Sequence, residues 1–110
     1  MLAFSNCGFV NLVLPDSVET IGESAFQGCE NLVSLTLGNG LKSYHSEAVW
    51  LCENLEWVKI TGTTVIDINF ADCPKLTTIY VPNSMVETYE AKVETNKEYN
   101  YGFTGSIVGF

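Results

Sequence analysis

The sequence has 110 residues, of which 46% are hydrophobic, and 13 acidic against five basic residues give a formal net charge of −8. This length suits one domain, and the hydrophobic content is sufficient for a core. No stretch approaches the roughly 18 apolar residues of a membrane-spanning helix, which argues against membrane insertion. The acidic balance argues against nucleic acids and anionic membrane surfaces as partners, because proteins that bind them carry basic patches.

The N-terminal residues are predicted to complete an arc and enter a strand. Phe4 and Cys7 are expected to face inward, and alternating apolar residues predict a first strand over Val10–Leu14. Pro15 ends that strand because proline has no backbone donor. The chain enters in the middle of a repeat, so we expect a fragment, a trimmed chain or a natural protein without its first coil. No signal peptide is visible, which is uninformative about secretion if the chain is a fragment.

One unit is found over residues 21–37, with the sequence I-G-E-S-A-F-Q-G-C-E-N-L-V-S-L-T-L. Its apolar positions are irregularly spaced through Cys29, which predicts an arc or a turn of helix. The alternation that ends at Leu35 and Leu37 predicts a half-buried strand. An arc followed by a short strand is one coil of a solenoid.

The unit recurs along the chain. Its cysteines, Cys7, Cys29, Cys52 and Cys73, are separated by 22, 23 and 21 residues. L-x-x-L-x-L or a close relative follows three of them, at Leu32, Leu35, Leu37; Leu55, Val58, Ile60; and Leu76, Ile79, Val81. A period in the low twenties with this motif is typical of leucine-rich repeats, in which each repeat adds one strand to a parallel sheet. Because no coil can bury its apolar side alone, neighbouring coils must stack.

The full pattern, I-G-x-x-A-F-x-x-C-x-x-L-x-x-L-x-L with L-P-D-S-V after the first strand, resembles the BspA-like leucine-rich repeats of bacterial and protist surface proteins. The resemblance covers roughly residues 1 to 90. It implies an α/β fold: a solenoid of about four coils with a short parallel sheet and irregular arcs. It also implies a secreted or cell-surface protein engaged in adhesion or in contact with host proteins.

The repeat stops after Pro82. Ser84 and Glu87 have the spacing of a capping box, which predicts a helix over about residues 85–95. Met85, Tyr89 and Val93 would lie on one face of this helix. We therefore divide the chain into leucine-rich-repeat coils at 1–82 and a C-terminal cap at 83–110. The last apolar segment of the cap either adds a strand or lies across the last coil.

The four cysteines occupy equivalent positions, one in each coil. Stacked equivalent side chains point in parallel and do not converge, which disfavours a disulfide even where the Cα distance permits one. We expect reduced cysteines that form an inward-facing ladder of small apolar groups.

The sequence contains no motif of an enzyme. Nucleophile-elbow, P-loop, dinucleotide and HExxH patterns are all absent, and there is one histidine, His45. Acidic residues such as Glu30 and Glu53 would stack in columns, but a calcium site needs six to eight converging oxygens. A solvated acidic face is favoured. We therefore expect no catalytic residue, no metal and no cofactor.

The strand residues between the inward leucines would face solvent on the concave side of the sheet. They form two columns: Asn11, Ser34, Trp57, Thr78, and Val13, Thr36, Lys59, Tyr80. Tryptophan and tyrosine are favoured at recognition hot spots. The predicted binding residues are Trp57, Lys59, Thr78 and Tyr80, with Ser34 and Thr36 beside them. The alternatives are that the C-terminal segment covers this face as a cap, or that its exposure is incidental. Trp50 occupies an outer position of an arc, on the convex side or at an oligomer contact.

These patterns favour a non-catalytic protein-binding module, and the resemblance implies a secreted or cell-surface protein with a host extracellular protein among its partners. The alternative is a purely structural terminal repeat segment of a longer surface protein. A homodimer is also predicted. The first coil lacks a cap, so the strand Val10–Leu14 and the side chains of Phe4, Leu12 and Leu14 would face water at an open edge that invites pairing.

Overall fold

The computed structural model of the chain describes residues 10–23, 25–45, 48–70, 72–99 and 102–110. Short strands, one 3-10 turn and one helix alternate with irregular arcs. In chain order the elements are β1 (Asn11–Val13), β2 (Thr20–Ile21), β3 (Ser34–Leu37), β4 (Ser43–Tyr44), β5 (Trp57–Ile60), β6 (Thr78–Val81), the 3-10 turn Asn83–Met85, α1 (Val86–Glu98) and β7 (Ser106–Gly109). The predicted inward positions of Phe4 and Cys7 lie outside the described residues.

One sheet of parallel strands organises the structure. Its order is β1-β3-β5-β6-β7, so that successive coils lie side by side, and a second, two-stranded sheet pairs β2 with β4 in the arcs. Strand pairing is in register from coil to coil, with Leu35 opposite Leu12 on one side and Val58 on the other. This arrangement confirms the predicted leucine-rich-repeat solenoid with a helix near its C-terminus.

β3, β5 and β6 each begin two residues after the leading leucine of L-x-x-L-x-L, where the motif predicts their start, and β1 begins one residue after the predicted Val10. The leading leucine of L-x-x-L-x-L lies in a turn, where its amide donates to the carbonyl of the cysteine three residues earlier. These bonds join Leu32 to Cys29, Leu55 to Cys52 and Leu76 to Cys73, at 3.2, 3.2 and 3.1 Å. The cysteine position is therefore a corner of every described coil, between the arc and the strand.

The core lies between the sheet and the arcs. Leu35, Val58 and Ile79 are fully buried on one side of the sheet, and Phe26 and Val49 reach them from the arcs with 1% exposure or less. Every coil thus contributes both walls of one continuous core, as stacking of incomplete units requires.

The described cysteines confirm the predicted ladder. Cys29 and Cys52 are buried, Cys73 is half-buried, and all three are free thiols. The Cys52 thiol donates to the carbonyl oxygen of Phe26 at 3.0 Å. Its hydrogen bond with the Cys73 thiol, together with burial, holds the pKa of Cys52 well above its usual range. Cys52 therefore stays protonated and acts as a small core residue, not as a nucleophile.

Thiol counting checks this assignment. We expect untreated protein, denatured without oxygen, to show all four cysteines of the sequence as free thiols. In the folded state the two buried thiols should react much more slowly than Cys73 with a thiol reagent. Fewer than four free thiols after anaerobic denaturation would contradict the ladder.

The residue before each described cysteine has a left-handed backbone. The φ angles are 65° at Gly28, 57° at Leu51 and 56° at Asp72. Glycine adopts this conformation freely, whereas it costs another L-residue about 1–2 kcal/mol. Leu51 is also 38% exposed, so its side chain is only partly buried. The corner of the third coil is therefore strained.

Glycine at position 51 should give a more stable protein than alanine there, because both changes remove the partly buried side chain and only glycine relieves the strain. Relief of the left-handed strain exceeds the extra unfolded-state entropy of glycine by about 0.5–1 kcal/mol, which urea unfolding can measure. The matched control is Gly28→Ala, which introduces the same strain one coil earlier and should destabilise by about 1 kcal/mol. A Leu51→Gly variant that is no more stable than Leu51→Ala would show that the corner is not strained.

The helix begins differently from the prediction. Ser84 lies inside the 3-10 turn, and no side chain caps that turn or α1, so the predicted capping box is wrong. The turn itself supplies the acceptors: the amide of Met85 donates to the carbonyl of Pro82 at 2.8 Å, and the amide of Val86 to that of Asn83. Because Ser84 is part of a helical turn, it cannot adopt the extended conformation of an N-cap residue.

The predicted inner face of the helix is confirmed. Tyr89 and Val93 are buried, with Met85 partly buried beside them. The Tyr89 hydroxyl accepts from the amide of Ile66 at 3.1 Å and donates to the carbonyl of Thr64 at 3.3 Å. Burial raises the pKa of Tyr89, which keeps the hydroxyl protonated for this role. The helix is thus fixed to the arc of the fourth coil.

The C-terminal residues return to the sheet. Asn96 of α1 is buried, and its side-chain amide donates to the carbonyl of Phe103 at 2.8 Å, which positions the chain that enters β7. β7 then pairs in parallel with β6, with Ile107 opposite Ile79. A Cβ atom at Gly109 would collide with the side-chain oxygen of Asn83, so any other residue there would displace that side chain. The segment after the helix therefore adds a strand, which is one of the two predicted alternatives.

Candidate binding face

Two columns of side chains cover the side of the sheet that faces away from the core. This is the side on which the binding residues were predicted, and we call it the outer face. The register places Asn11, Ser34, Trp57, Thr78 and Ser106 in one column and Val13, Thr36, Lys59, Tyr80 and Val108 in the other. The predicted site residues Ser34, Thr36, Trp57, Lys59, Thr78 and Tyr80 are therefore neighbours on this face.

An aromatic pair occupies the centre of the outer face. The rings of Trp57 and Tyr80 lie 5.7 Å apart between centroids and are inclined at 87°, an edge-to-face arrangement. Such pairs contribute about 0.5–1.5 kcal/mol beyond their burial. Both side chains remain half-buried. They are thus held in place yet still accessible from solvent.

A cation and an aromatic ring border this pair. The ammonium group of Lys59 lies 4.4 Å from the ring centroid of Phe110, within the range of a cation–π interaction. The backbone of Phe110 is fixed as well, because its amide donates to Val81 and its carbonyl accepts from Asn83. Phe110 is still 48% exposed and Val108 40% exposed. The rim of the outer face near β7 is therefore apolar with one positive charge.

The polar residues of the outer face differ in accessibility. Ser34 is only 3% exposed, and its hydroxyl donates to the side-chain oxygen of Asn11 at 2.6 Å. This bond links β3 to β1. Because Ser34 is buried and already hydrogen-bonded, its role is structural. Thr36 and Thr78 are half-buried, which leaves part of each side chain accessible.

The C-terminal segment does not cover this face, so the predicted alternative of a cap over the aromatic pair is wrong for residues 102–110. β7 lies beside β6 in the sheet and extends both columns, through Ser106 and Val108. Backbone pairing with the open edge of β6 satisfies the amides of this segment, which lying across the side chains would leave unpaired.

Three contributors to the outer face were missed at the sequence level: Ser106, Val108 and Phe110. The signal for them is the alternation of polar, apolar and small residues in S-I-V-G-F. That alternation is compatible with a strand, but it does not say which edge the strand joins, because it lies outside the repeat.

Trp50 lies away from the outer face, in the third arc, where it is half-buried. Its indole nitrogen is buried, and no described residue accepts a hydrogen bond from it. The prediction that Trp50 sits on the convex side or at an oligomer contact stays a prediction.

A cleft of about 1080 Å³ lies between the arcs of the third and fourth coils and residues 102–104. Two polar side chains near its wall are engaged in structural contacts. The Lys75 ammonium group donates to the Asn54 side-chain oxygen at 2.9 Å, and the Asn54 amide donates to the carbonyl of Glu30 at 2.7 Å. Across the part of the chain that the structure describes, no group of three histidines, cysteines or carboxylates is placed to hold a metal ion.

Neither α1 nor any other helix of the described ranges has the length and apolar character needed to cross a membrane.

Comparison with known families gives one result. The family model whose description is "BspA type Leucine rich repeat region (6 copies)" matches residues 1–98. No curated protein and no solved structure shows significant similarity to the chain.

Proposed function

The chain belongs to the BspA-type leucine-rich-repeat family, whose modules typically bind proteins and are usually non-catalytic, and on that premise we propose that it binds a protein partner through the outer face. The observation that carries the proposal is the edge-to-face pair of Trp57 and Tyr80 in the middle of that face. Large aromatic residues held in one conformation bind with a low entropic cost, and they dominate the energies of protein interfaces.

The surroundings of the pair have the composition of an interface. Val108 and Phe110 provide exposed apolar area on one side, and Thr36 and Thr78 provide hydroxyl groups. Lys59 adds a positive charge to a chain whose formal net charge is −8, so it favours an acidic group on the partner at this position. A hydrophobic centre with a polar rim is the usual anatomy of such interfaces.

The family membership supports a proposal for the biological setting. BspA-type proteins are surface-associated, so we propose that this chain acts at the cell surface or after secretion, in adhesion or in contact with a host protein. The competing proposal, a structural terminal segment with no ligand of its own, predicts a sheet face without a binding partner.

A binding screen against purified extracellular-matrix proteins separates the two proposals. We expect saturable binding to at least one of them by surface plasmon resonance, and loss of that binding in the double variant Trp57→Ala/Tyr80→Ala. The matched control is Thr63→Ala/Thr64→Ala, which changes two exposed residues in the turn after β5. Absence of binding across the screen, or equal binding by the folded double variant, would favour the structural role.

We further propose that the isolated chain forms a homodimer through β1. This strand has one neighbour in the described sheet, β3, and Val10 and Val13, just before and within it, are 52% and 69% exposed. Leu14, predicted to face water, is instead buried at 4%, because its amide donates to the carbonyl of Thr36 and holds it in the core. The apolar edge is therefore smaller than predicted, and Leu12 is half-buried.

Light scattering at several concentrations and two salt levels tests the dimer. Raising the salt should tighten it, because each copy carries a net charge of −8 and salt screens the repulsion over about 8–10 Å. Val13→Lys charges the edge without touching the core and should give a monomer, whereas Leu12→Lys also perturbs packing. A monomer at high micromolar concentration, or a dimer that Val13→Lys leaves intact, would exclude this interface.

A further inference from the structure

The edge of β7 that faces away from β6 carries backbone groups that are not paired with another strand. The amides of Ser106 and Phe110 point toward β6, where they donate to Thr77 at 2.9 Å and Val81 at 3.0 Å. Residues of a parallel strand alternate in the side to which they hydrogen-bond. Ile107 and Gly109 therefore turn their amides and carbonyls to the open side, and β7 has no second neighbour in the described sheet. Such an edge is a template for another strand.

A groove runs along this edge, between β7 and α1. It has a volume of about 270 Å³, and Val93 and Ile107 are among the residues that line it. Val93 is buried and Ile107 half-buried, so part of the floor is apolar. The side chains of Glu90, Glu94 and Lys97 complete its helical wall. A strand added to β7 would place every second side chain over this groove.

The helical wall is predominantly acidic. Glu87, Glu90, Glu94 and Glu98 recur along α1 at helical spacing, and all four are exposed. Lys97 forms an ion pair with Glu94 at 3.5 Å, while no described basic group pairs with Glu90. A second copy of this chain would bring the same carboxylates to the edge and be repelled. A segment with basic side chains would be attracted.

We propose that the edge of β7 binds an extended peptide segment of a partner protein by strand addition, and that this segment alternates basic and apolar side chains. Main-chain hydrogen bonds to Ile107 and Gly109 provide the register. The basic side chains lay their aliphatic stems over Val93 and Ile107 and place their charged ends near Glu90 and Glu94. The apolar side chains extend the outer face beside Val108 and Phe110.

This surface is distinct from the aromatic pair of the proposed function. Trp57 and Tyr80 lie on β5 and β6, whereas the added strand would lie beyond β7 and contact α1. The two surfaces can therefore be tested separately, and failure of either leaves the other intact.

The probe is a synthetic peptide of about eight residues, a length typical of one strand, that alternates lysine with valine. We expect saturable binding to the full chain by fluorescence anisotropy, weakened by salt. Two control peptides define the mode. One alternates glutamate with valine, which reverses the charge. The other carries N-methyl groups on the amides of one edge, which removes the main-chain donors. Both should bind about tenfold more weakly or not at all.

Variants of the chain locate the site. Glu90→Lys should weaken the lysine–valine peptide about tenfold, which is the loss of one charge-assisted contact. Glu30→Lys makes the same change of net charge on an exposed residue of the second coil and should leave the affinity within about twofold. Trp57→Ala should leave it unchanged. Peptide binding should also slow deuterium exchange at the amides of Ile107 and Gly109.

Several results would overturn the proposal: no saturable binding, equal binding of either control peptide, equal effects of Glu90→Lys and Glu30→Lys, or unchanged exchange at Ile107 and Gly109. Loss of peptide binding in Trp57→Ala would place the peptide on the outer face and overturn the edge assignment, while leaving the proposed function standing.

Discussion

Replacing Leu35 with alanine is expected to lower the free energy of unfolding by about 2–5 kcal/mol. Leu35 is fully buried in β3, with Leu12 and Val58 opposite it on the neighbouring strands. Its removal leaves a cavity that both adjacent coils would have to move to fill. Because the free energy of unfolding of a small domain is only about 5–15 kcal/mol, this change alone removes a large part of it.

Urea unfolding followed by circular dichroism measures the loss. The matched control is Thr36→Ala, one residue along the same strand but on the outer face, which should cost less than about 1 kcal/mol. A loss below about 1 kcal/mol for Leu35→Ala, or equal losses for the two variants, would contradict the inward orientation of Leu35.

The second large effect is expected at Tyr89, where alanine should cost about 3–5 kcal/mol. This side chain is fully buried between α1 and the arc of the fourth coil, and its hydroxyl bonds the backbone at Thr64 and Ile66. The variant would remove the packing and both hydrogen bonds together. It therefore tests whether the C-terminal helix shares one cooperative core with the repeats.

Phenylalanine at the same position separates the two contributions. Tyr89→Phe keeps the ring but leaves the buried amide of Ile66 without its acceptor, at a cost of about 1–3 kcal/mol. Thr88→Ala is the control, since Thr88 is exposed on the same turn of α1 and should change stability by less than about 0.5 kcal/mol. If Tyr89→Ala unfolded the helix alone, with the repeats unaffected, the helix would be an appendage and not part of the core.

The repeat made most of the fold predictable. Because Cys29, Cys52 and Cys73 occupy equivalent positions of the repeat, their spacing predicts the strand register. The register in turn predicts the side of the sheet that each residue faces. Trp57 and Tyr80 could be recognised as neighbours for this reason, although they are 23 positions apart in the sequence. A solenoid converts sequence period directly into spatial adjacency.

Departures from prediction occur where the repeat gives no information. The start of α1 has the sequence of a capping box, yet a 3-10 turn satisfies its amides instead, since backbone acceptors of Pro82 and Asn83 were already in position. The last strand has no repeat partner in the sequence, so its pairing with β6 was only one of two possibilities. Leu14 is buried, contrary to the prediction, because a hydrogen bond from its amide to Thr36 in the next coil holds it against the core.

The affinity of the chain for the matrix protein that binds it most tightly, compared between Trp57→Ala and Trp50→Ala, tests the proposed function most directly. Both variants remove one indole from a half-buried site, but only Trp57 lies on the outer face. With folding verified by circular dichroism, we predict that Trp57→Ala weakens binding about tenfold or more and that Trp50→Ala changes it less than about twofold. Unchanged affinity in Trp57→Ala, or a larger loss in Trp50→Ala, would contradict binding through the outer face.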